Sequence, residues 1–285
     1  MISIAVLIIY VHHIGRSLRV SALIELVGKQ TRKLLDEVYP SSEAHPARFA
    51  GHLVVARRSG VITRIGHRRL VAEAARAGCV LELLPAMGEF VPAGAALFRV
   101  HGEPTDLDAD RVVGSVVLSL ERTLEEDVAY GIRLLVDIAE RSLSDSPYQD
   151  PTTAVQAIDR LHDCLHQLVI RPLPDGVHRD PDGDVRLLVP VMDWEAYVHL
   201  AFDELRLVGA ASLQVTRRLQ AALLDLRDVA SAERTPAIEQ QLALLVAAVE
   251  ERVSDRRDVA MALEADRQGL GAAAGGGSRH LIGAT

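Results

Sequence analysis

The chain has 285 residues, 49% of them hydrophobic and 25% charged, with a formal net charge of -8. Such a composition excludes a mostly disordered chain and allows two modest cores. Aromatics are only 4%, so Leu, Val, Ile and Ala must build the interior, which favours helices; nucleic acid is excluded as a partner, because an acidic body without a basic, aromatic-interleaved stripe repels phosphates.

The first element is Met1–Val11 (MISIAVLIIYV), apolar and uncharged, followed at once by His12, His13 and Arg16. It is too short to cross a bilayer, which takes about 20 apolar residues. It also lacks the basic lead and small-residue cleavage site of a signal peptide. Two readings stand: a buried core strand or helix, or the last half of a membrane helix whose beginning lies outside this chain. The second accounts for the flank. Between Arg16 and Lys33 there are five basic residues (Arg16, Arg19, Lys29, Arg32, Lys33) against one acid, Glu25. Positive charge beside an apolar segment marks the cytoplasmic side and attracts anionic headgroups. Residues 1–70 as a whole carry eleven Arg/Lys and four Asp/Glu, or +7, which leaves -15 for the remainder.

Apolar residues from Ile14 to Val38 keep mostly three- and four-residue steps, which predicts one helix running as far as Tyr39-Pro40, where proline stops it. Residues 1–40 thus form a membrane-proximal helix. A polar linker (SSEAHPARFAGH) leads into a small β domain, placed at 41–104. Its predicted strands are Leu53–Arg57, Val61–Ile65 and Val80–Leu84, with a helix at Arg69–Ala77 and a turn phrase, MGEFVPAGAALFRV, whose glycines flank short strands. The phrase G-x-x-V-x-x-G-x-x-L resembles the hairpin of barrel-sandwich hybrid domains. Carriers of that fold load biotinyl or lipoyl groups on a hairpin lysine. The chain's lysines are Lys29 and Lys33, both in the N-terminal helix, so no such group is expected, nor any other cofactor.

From Asp106 onward the pattern is helical, and the second domain is placed at 105–268. Thr123-Leu-Glu-Glu126 reads as a capping box ahead of a helix to Leu143. Asp150-Pro151 starts another, with Asp as N-cap and Pro in the first turn; it should bury Val155, Ile158, Leu161, Leu165 and Leu168. A β-hairpin turning at Asp182-Gly183 interrupts the helices. Three further helices are predicted: from Trp194, capped by Asp193, to about Gly209, at about Leu213–Ala230, and at about Ala237–Gln268. The Gly/Ala-rich residues 269–285 read as a disordered tail. The fold class is α+β: a mainly helical domain, a small barrel-sandwich-like β domain and an N-terminal helix ending a membrane span.

Candidate chemistry is sparse. His162 and His166 stand at i and i+4 on one helix, the spacing with which two imidazoles reach one metal ion, and Asp159 or Asp163 could add a carboxylate. Histidines at the border of an apolar stripe more commonly cover it, and no third ligand or positioned base is evident. Asp180, Asp182 and Asp184 resemble the start of a calcium loop, but Val185 and Val191 occupy the positions that need Gly and Glu, so a polar turn is expected. Arg122, Glu125, Glu126, Asp127, Asp137 and Asp150 concentrate charge, chiefly acid, around two helix starts; paired carboxylates can act as acid and base, and they also serve as ordinary first-turn charges facing the helix dipole, a reading that needs nothing further. Cys79 and Cys164 form no C-x-x-C pattern, so neither disulfide nor zinc ribbon is expected and a reducing compartment fits.

The phrases YVHHIGRS (Tyr10–Ser17), SGVITRI (Ser59–Ile65), MGEFVPAG (Met87–Gly94), Glu121–Leu161 and WEAYVHLAFDELRLVGAAS (Trp194–Ser212) together resemble the domain of unknown function 2254 family, bacterial predicted membrane proteins. The long phrase at Glu121–Leu161 is the specific one. The resemblance maps the family's recurrent residues onto Arg122, Thr123, Asp127, Gly131, Asp137, Asp150, Pro151, Thr153 and Ala154. Many members carry Asn-Asp-Pro where this chain has Gln149-Asp150-Pro151. In that family several transmembrane helices precede the soluble region, so the resemblance implies a chain that opens inside the last of them. It implies no activity. The expectation is a cytosolic, non-enzymatic module of an inner-membrane protein, acting in assembly, regulation or transport. It would touch the bilayer through its N-terminus and form a homo-oligomer. The alternative is a metal-dependent hydrolase with its site around His162 and His166.

Overall fold

The computed structural model describes residues 23–24, 26–35, 37–39, 52–144 and 149–270. The chain divides into two units, residues 1–53 and residues 54–285. In the first, residues 23–24, 26–35 and 37–38 are helical, in keeping with the predicted helix. Leu23, Ile24, Leu26, Val27, Leu34, Leu35 and Val38 are all exposed there. The apolar run at Met1–Val11, most of the linker, and residues 271–285 of the tail lie outside the described residues. No helix of the described residues is long and apolar enough to cross a membrane.

In the second unit the chain is mixed α and β. Its strands are β1 (His52–Val55, of which Val54 and Val55 belong to this unit), β2 (Gly60–Ile65), β3 (Val80–Leu83), β4 (Phe90–Val91), β5 (Ala96–His101), β6 (Val116–Ser119), β7 (Val177–Arg179) and β8 (Val185–Leu188). Its helices are α1 (His67–Ala77), α2 (Ala109–Gly114), α3 (Val128–Ser144), α4 (Pro151–Leu168), α5 (Trp194–Gly209), α6 (Leu213–Val229), α7 (Thr235–Arg252) and α8 (Arg256–Ala262).

Two small sheets form, in the orders β1-β5-β3-β8-β7 and β4-β2-β6, with no closed barrel among the described residues. The barrel-sandwich expectation is corrected to that extent. A physical reason is visible in the pairing: β2 is taken up antiparallel by β4 and β6, while β3 pairs antiparallel with β5 and, on its other edge, parallel with β8. The predicted hairpin around Asp182-Gly183 is therefore part of this sheet, with Leu81 opposite Leu187. Strand β6 lies where the sequence reads as helical; its Val-Val-Leu run suits a pleated, half-buried surface. Leu70, Leu81, Leu97, Phe98 and Leu187 are the wholly buried centre of this layer.

The helices gather around a second core. Ile158, Leu161 and Leu165 of α4 are fully buried, Val155 is buried, and Leu168 is partly so, which is the predicted face. They meet Ile132 and Val136 of α3, Phe202 of α5, Leu219 and Leu226 of α6, and Leu245 of α7. Trp194 Nε1 donates to the carbonyl of Arg234 at 3.0 Å, tying the start of α5 to the α6–α7 turn. The single long helix expected to about Gln268 is divided. Val253 is extended and Asp255 caps α8 through the amide of Arg257 at 2.7 Å, so a local cap signal overrides the continuous apolar period.

Candidate functional site

The recurrent family residues fall into three local structures. The first is built on Arg122. Its Nε and one Nη donate to the same oxygen of Asp127, at 3.0 and 2.7 Å. The other oxygen of Asp127 accepts the amide of Tyr130 at 2.9 Å. Asp127, not Thr123, is therefore the N-cap of α3, and the capping-box assignment shifts by four residues. Thr123 Oγ1 is buried with no hydrogen-bond partner. The Arg122 guanidinium also stands 5.2 Å from the Tyr130 ring centre, within cation–π reach. A β-carbon at Gly88 would collide with this guanidinium, so the glycine of the MGEFVPAG turn leaves the space it occupies. Burial, followed by the charge of Asp127, pushes the Tyr197 hydroxyl up.

The second is an ion cluster across α3 and α5. Arg133 donates to Asp137 at 2.5 Å and to Glu140 at 3.0 Å, and pairs with Glu204 at 2.6 Å. Burial, and then the neighbouring Glu204, raise the Glu140 carboxyl above its ordinary value. The third is the α3–α4 corner. Asp150 accepts both the amide and the hydroxyl of Thr153, at 3.1 and 2.6 Å, and Pro151 takes the first turn of α4. Gln149 donates to the carbonyl of Leu143 at 3.1 Å, at the end of α3. Arg122, Asp127, Asp137, Asp150 and Pro151 thus cap and clamp helices, and the fold places them in separate clusters.

His162 and His166 do come together, with ring centres 6.1 Å apart. Asp225 of α6 faces both, at 3.0 Å from His162 Nε2 and 3.7 Å from His166 Nε2. The remaining His162 nitrogen, Nδ1, lies 3.0 Å from Arg218, which also donates to Asp159 at 2.6 Å. Arg267 closes the chain on Asp225 at 2.8 Å. Asp163 points elsewhere and accepts weakly from Gln167 at 3.4 Å. Burial and then the Arg218 cation hold the His162 imidazole below its usual range. Among the described residues no group of three or more His, Cys, Asp and Glu could hold a metal ion. The Arg218 guanidinium brings a positive charge to one nitrogen of His162. The partners Arg218 and Asp225 lie on α6 and Arg267 follows α8, and no local spacing announces them.

The aspartates of the DPDGD turn serve that turn. Asp180 accepts the amides of Asp182 and Asp184 at 3.1 and 2.9 Å and the Nε of Arg186 at 2.6 Å. Arg186 beside it holds the Asp180 carboxyl below the usual carboxylate range.

Comparison with known proteins fits these observations. The family described as "Predicted membrane protein (DUF2254)" matches residues 1–225. Uncharacterised proteins from two strains of Mycobacterium tuberculosis and from Mycobacterium bovis are each 30% identical over 279 residues, covering 93% of this chain and 53% of theirs. The chain spans about half the length of the curated relatives it matches. No solved structure matches it. With its caps, clamps and turn phrases accounted for residue by residue, the chain belongs to the DUF2254 family of predicted membrane proteins.

Proposed function

We propose that this chain is a non-enzymatic cytosolic module of an inner-membrane protein, held at an anionic bilayer surface by its N-terminal residues and serving assembly or regulation of that protein as a homo-oligomer. The observation that carries the reading is the helical stretch at residues 26–35, which exposes Leu26, Val27, Leu34 and Leu35 together with Lys29, Arg32 and Lys33. Apolar side chains left in water beside cations are what a headgroup boundary accepts, at about 1 kcal/mol per basic residue near an anionic surface. The apolar run before it and the membership of a predicted membrane protein family support the same reading.

Flotation of the full chain with vesicles tests it. Binding should be strong to vesicles rich in phosphatidylglycerol and weak to neutral ones, and Lys29→Gln/Arg32→Gln/Lys33→Gln should reduce it. Indifference to lipid, in the parent chain at low salt, overturns the proposal.

A further inference from the structure

We infer that the cavity at the amino end of α1 binds a phosphate group, carried by a small soluble compound or by a lipid headgroup. It has a volume of about 600 Å³ and is lined by Arg64, His67, Arg68, Arg69, Ser115 and Glu126, among others. All of these lie in the second unit, so the inference goes beyond the N-terminal membrane contact and does not depend on it.

The charge in this cavity is unbalanced. The side chains of Arg64, Arg68 and Arg69, all three exposed, form no ion pair or hydrogen bond among the described residues. Beside it, a recess of about 460 Å³ also contains arginines, but there Arg76 and Arg111 are held by the buried carboxylate of Glu73. Against these three solvent-facing guanidiniums the first cavity, which is open to solvent, offers one carboxylate, Glu126, which accepts the Ile65 amide at 3.4 Å. A chain of net charge -8 has acids in excess to neutralise such a group, and here they are placed elsewhere.

Backbone geometry adds to the side chains. Helix α1 starts after Gly66 with no side-chain cap and no acid in its first turn. The Gly66 amide donates to the Ser115 carbonyl at 2.8 Å, and a β-carbon on Gly66 would come within 3.1 Å of that oxygen. This close approach seats the first turn at the cavity wall, where unpaired helix amides carry partial positive charge. Guanidinium forks match the oxygens of a phosphate group, and uncapped amides supply directed donors to it. The charge is concentrated in one pocket, which suits a single phosphate group and not a nucleic acid backbone that would need an extended stripe.

Calorimetry of the full chain with inorganic phosphate at low ionic strength, beside vesicle binding, tests the inference. The variants are Arg68→Gln/Arg69→Gln and, separately, Arg64→Gln; the control is Arg256→Gln/Arg257→Gln on α8. Losing two guanidinium contacts should weaken phosphate binding roughly ten-fold or more, with the control unchanged. That result supports the site and a soluble source. Absence of phosphate heat, together with a preference for phosphatidic acid over phosphatidylglycerol vesicles that the cavity variants abolish, supports the site and a headgroup source. Phosphate binding untouched by both cavity variants overturns it. So does absence of phosphate heat with vesicle binding that the cavity variants leave unchanged. Failure of the N-terminal variant to alter vesicle binding bears on the membrane reading alone.

Discussion

Arg122 spends two donors on one oxygen of Asp127, at 3.0 and 2.7 Å, and so frees the second oxygen to cap α3. One carboxylate therefore serves a helix start and a partly buried ion pair together. Asp127→Ala should destabilise the fold by about 3 kcal/mol, from a lost cap and a guanidinium left without its partner. Asp127→Asn keeps an oxygen for the Tyr130 amide and should cost less. Urea titrations followed by far-ultraviolet circular dichroism measure both; equal losses for the two variants would show that the cap contributes nothing.

Gly88 should accept a side chain only at a cost set by Arg122. Its φ is 78°, and an added β-carbon meets the guanidinium. Gly88→Ala should cost about 2 kcal/mol in the parent chain and only the left-handed strain, about 1 kcal/mol, in an Arg122→Ala background. A double-mutant cycle reads the difference, and strict additivity would contradict the contact.

Stability should fall as the solution is acidified from neutrality. The His162 pKa is lowered from 6.5 in the folded chain, so between the folded value and 6.5 the unfolded chain binds more protons. Its contribution is fully present above 6.5 and is lost as pH falls through the folded value. Melting temperatures recorded from pH 8 downward should begin to decline near 6.5, and His162→Gln should flatten that first decline. An unaltered profile would mean that Asp225 compensates the proton on His162.

Zinc added in equimolar amount should leave the melting temperature unchanged, because Arg218 stands 3.0 Å from one His162 nitrogen and Asp225 already faces the other. A zinc-dependent rise that vanishes in His166→Ala would support the metal-site reading.

Local signals were readable in the sequence and distant ones were not. Asp150-Pro151 and Asp193 announced the starts of α4 and α5 because an N-cap acts on amides two or three residues away. The same short range misled at Thr123–Glu126, where a complete capping-box pattern stands four residues ahead of Asp127, and only the pairing with Arg122 selects the later cap. The histidine pair at 162 and 166 was visible as a pair. Its neutralising surroundings were not, since Arg218 and Asp225 arrive from α6. Arg64, Arg68 and Arg69 were counted within a basic N-terminal end, whereas the fold places them in the second unit, around one cavity.

The parallel pairing of β3 with β8 sets Leu81 beside Leu187, and this ties the order of synthesis to the order of folding. As the chain leaves the ribosome, β3 emerges with β5 soon after it, but its other edge stays open until the three intervening helices α2, α3 and α4 have been made. An early-released fragment ending before Val177 would carry that edge bare, a template for pairing with any other strand. Nascent chains stalled before and after Leu188 should accordingly differ in protease resistance around Val80–Leu83.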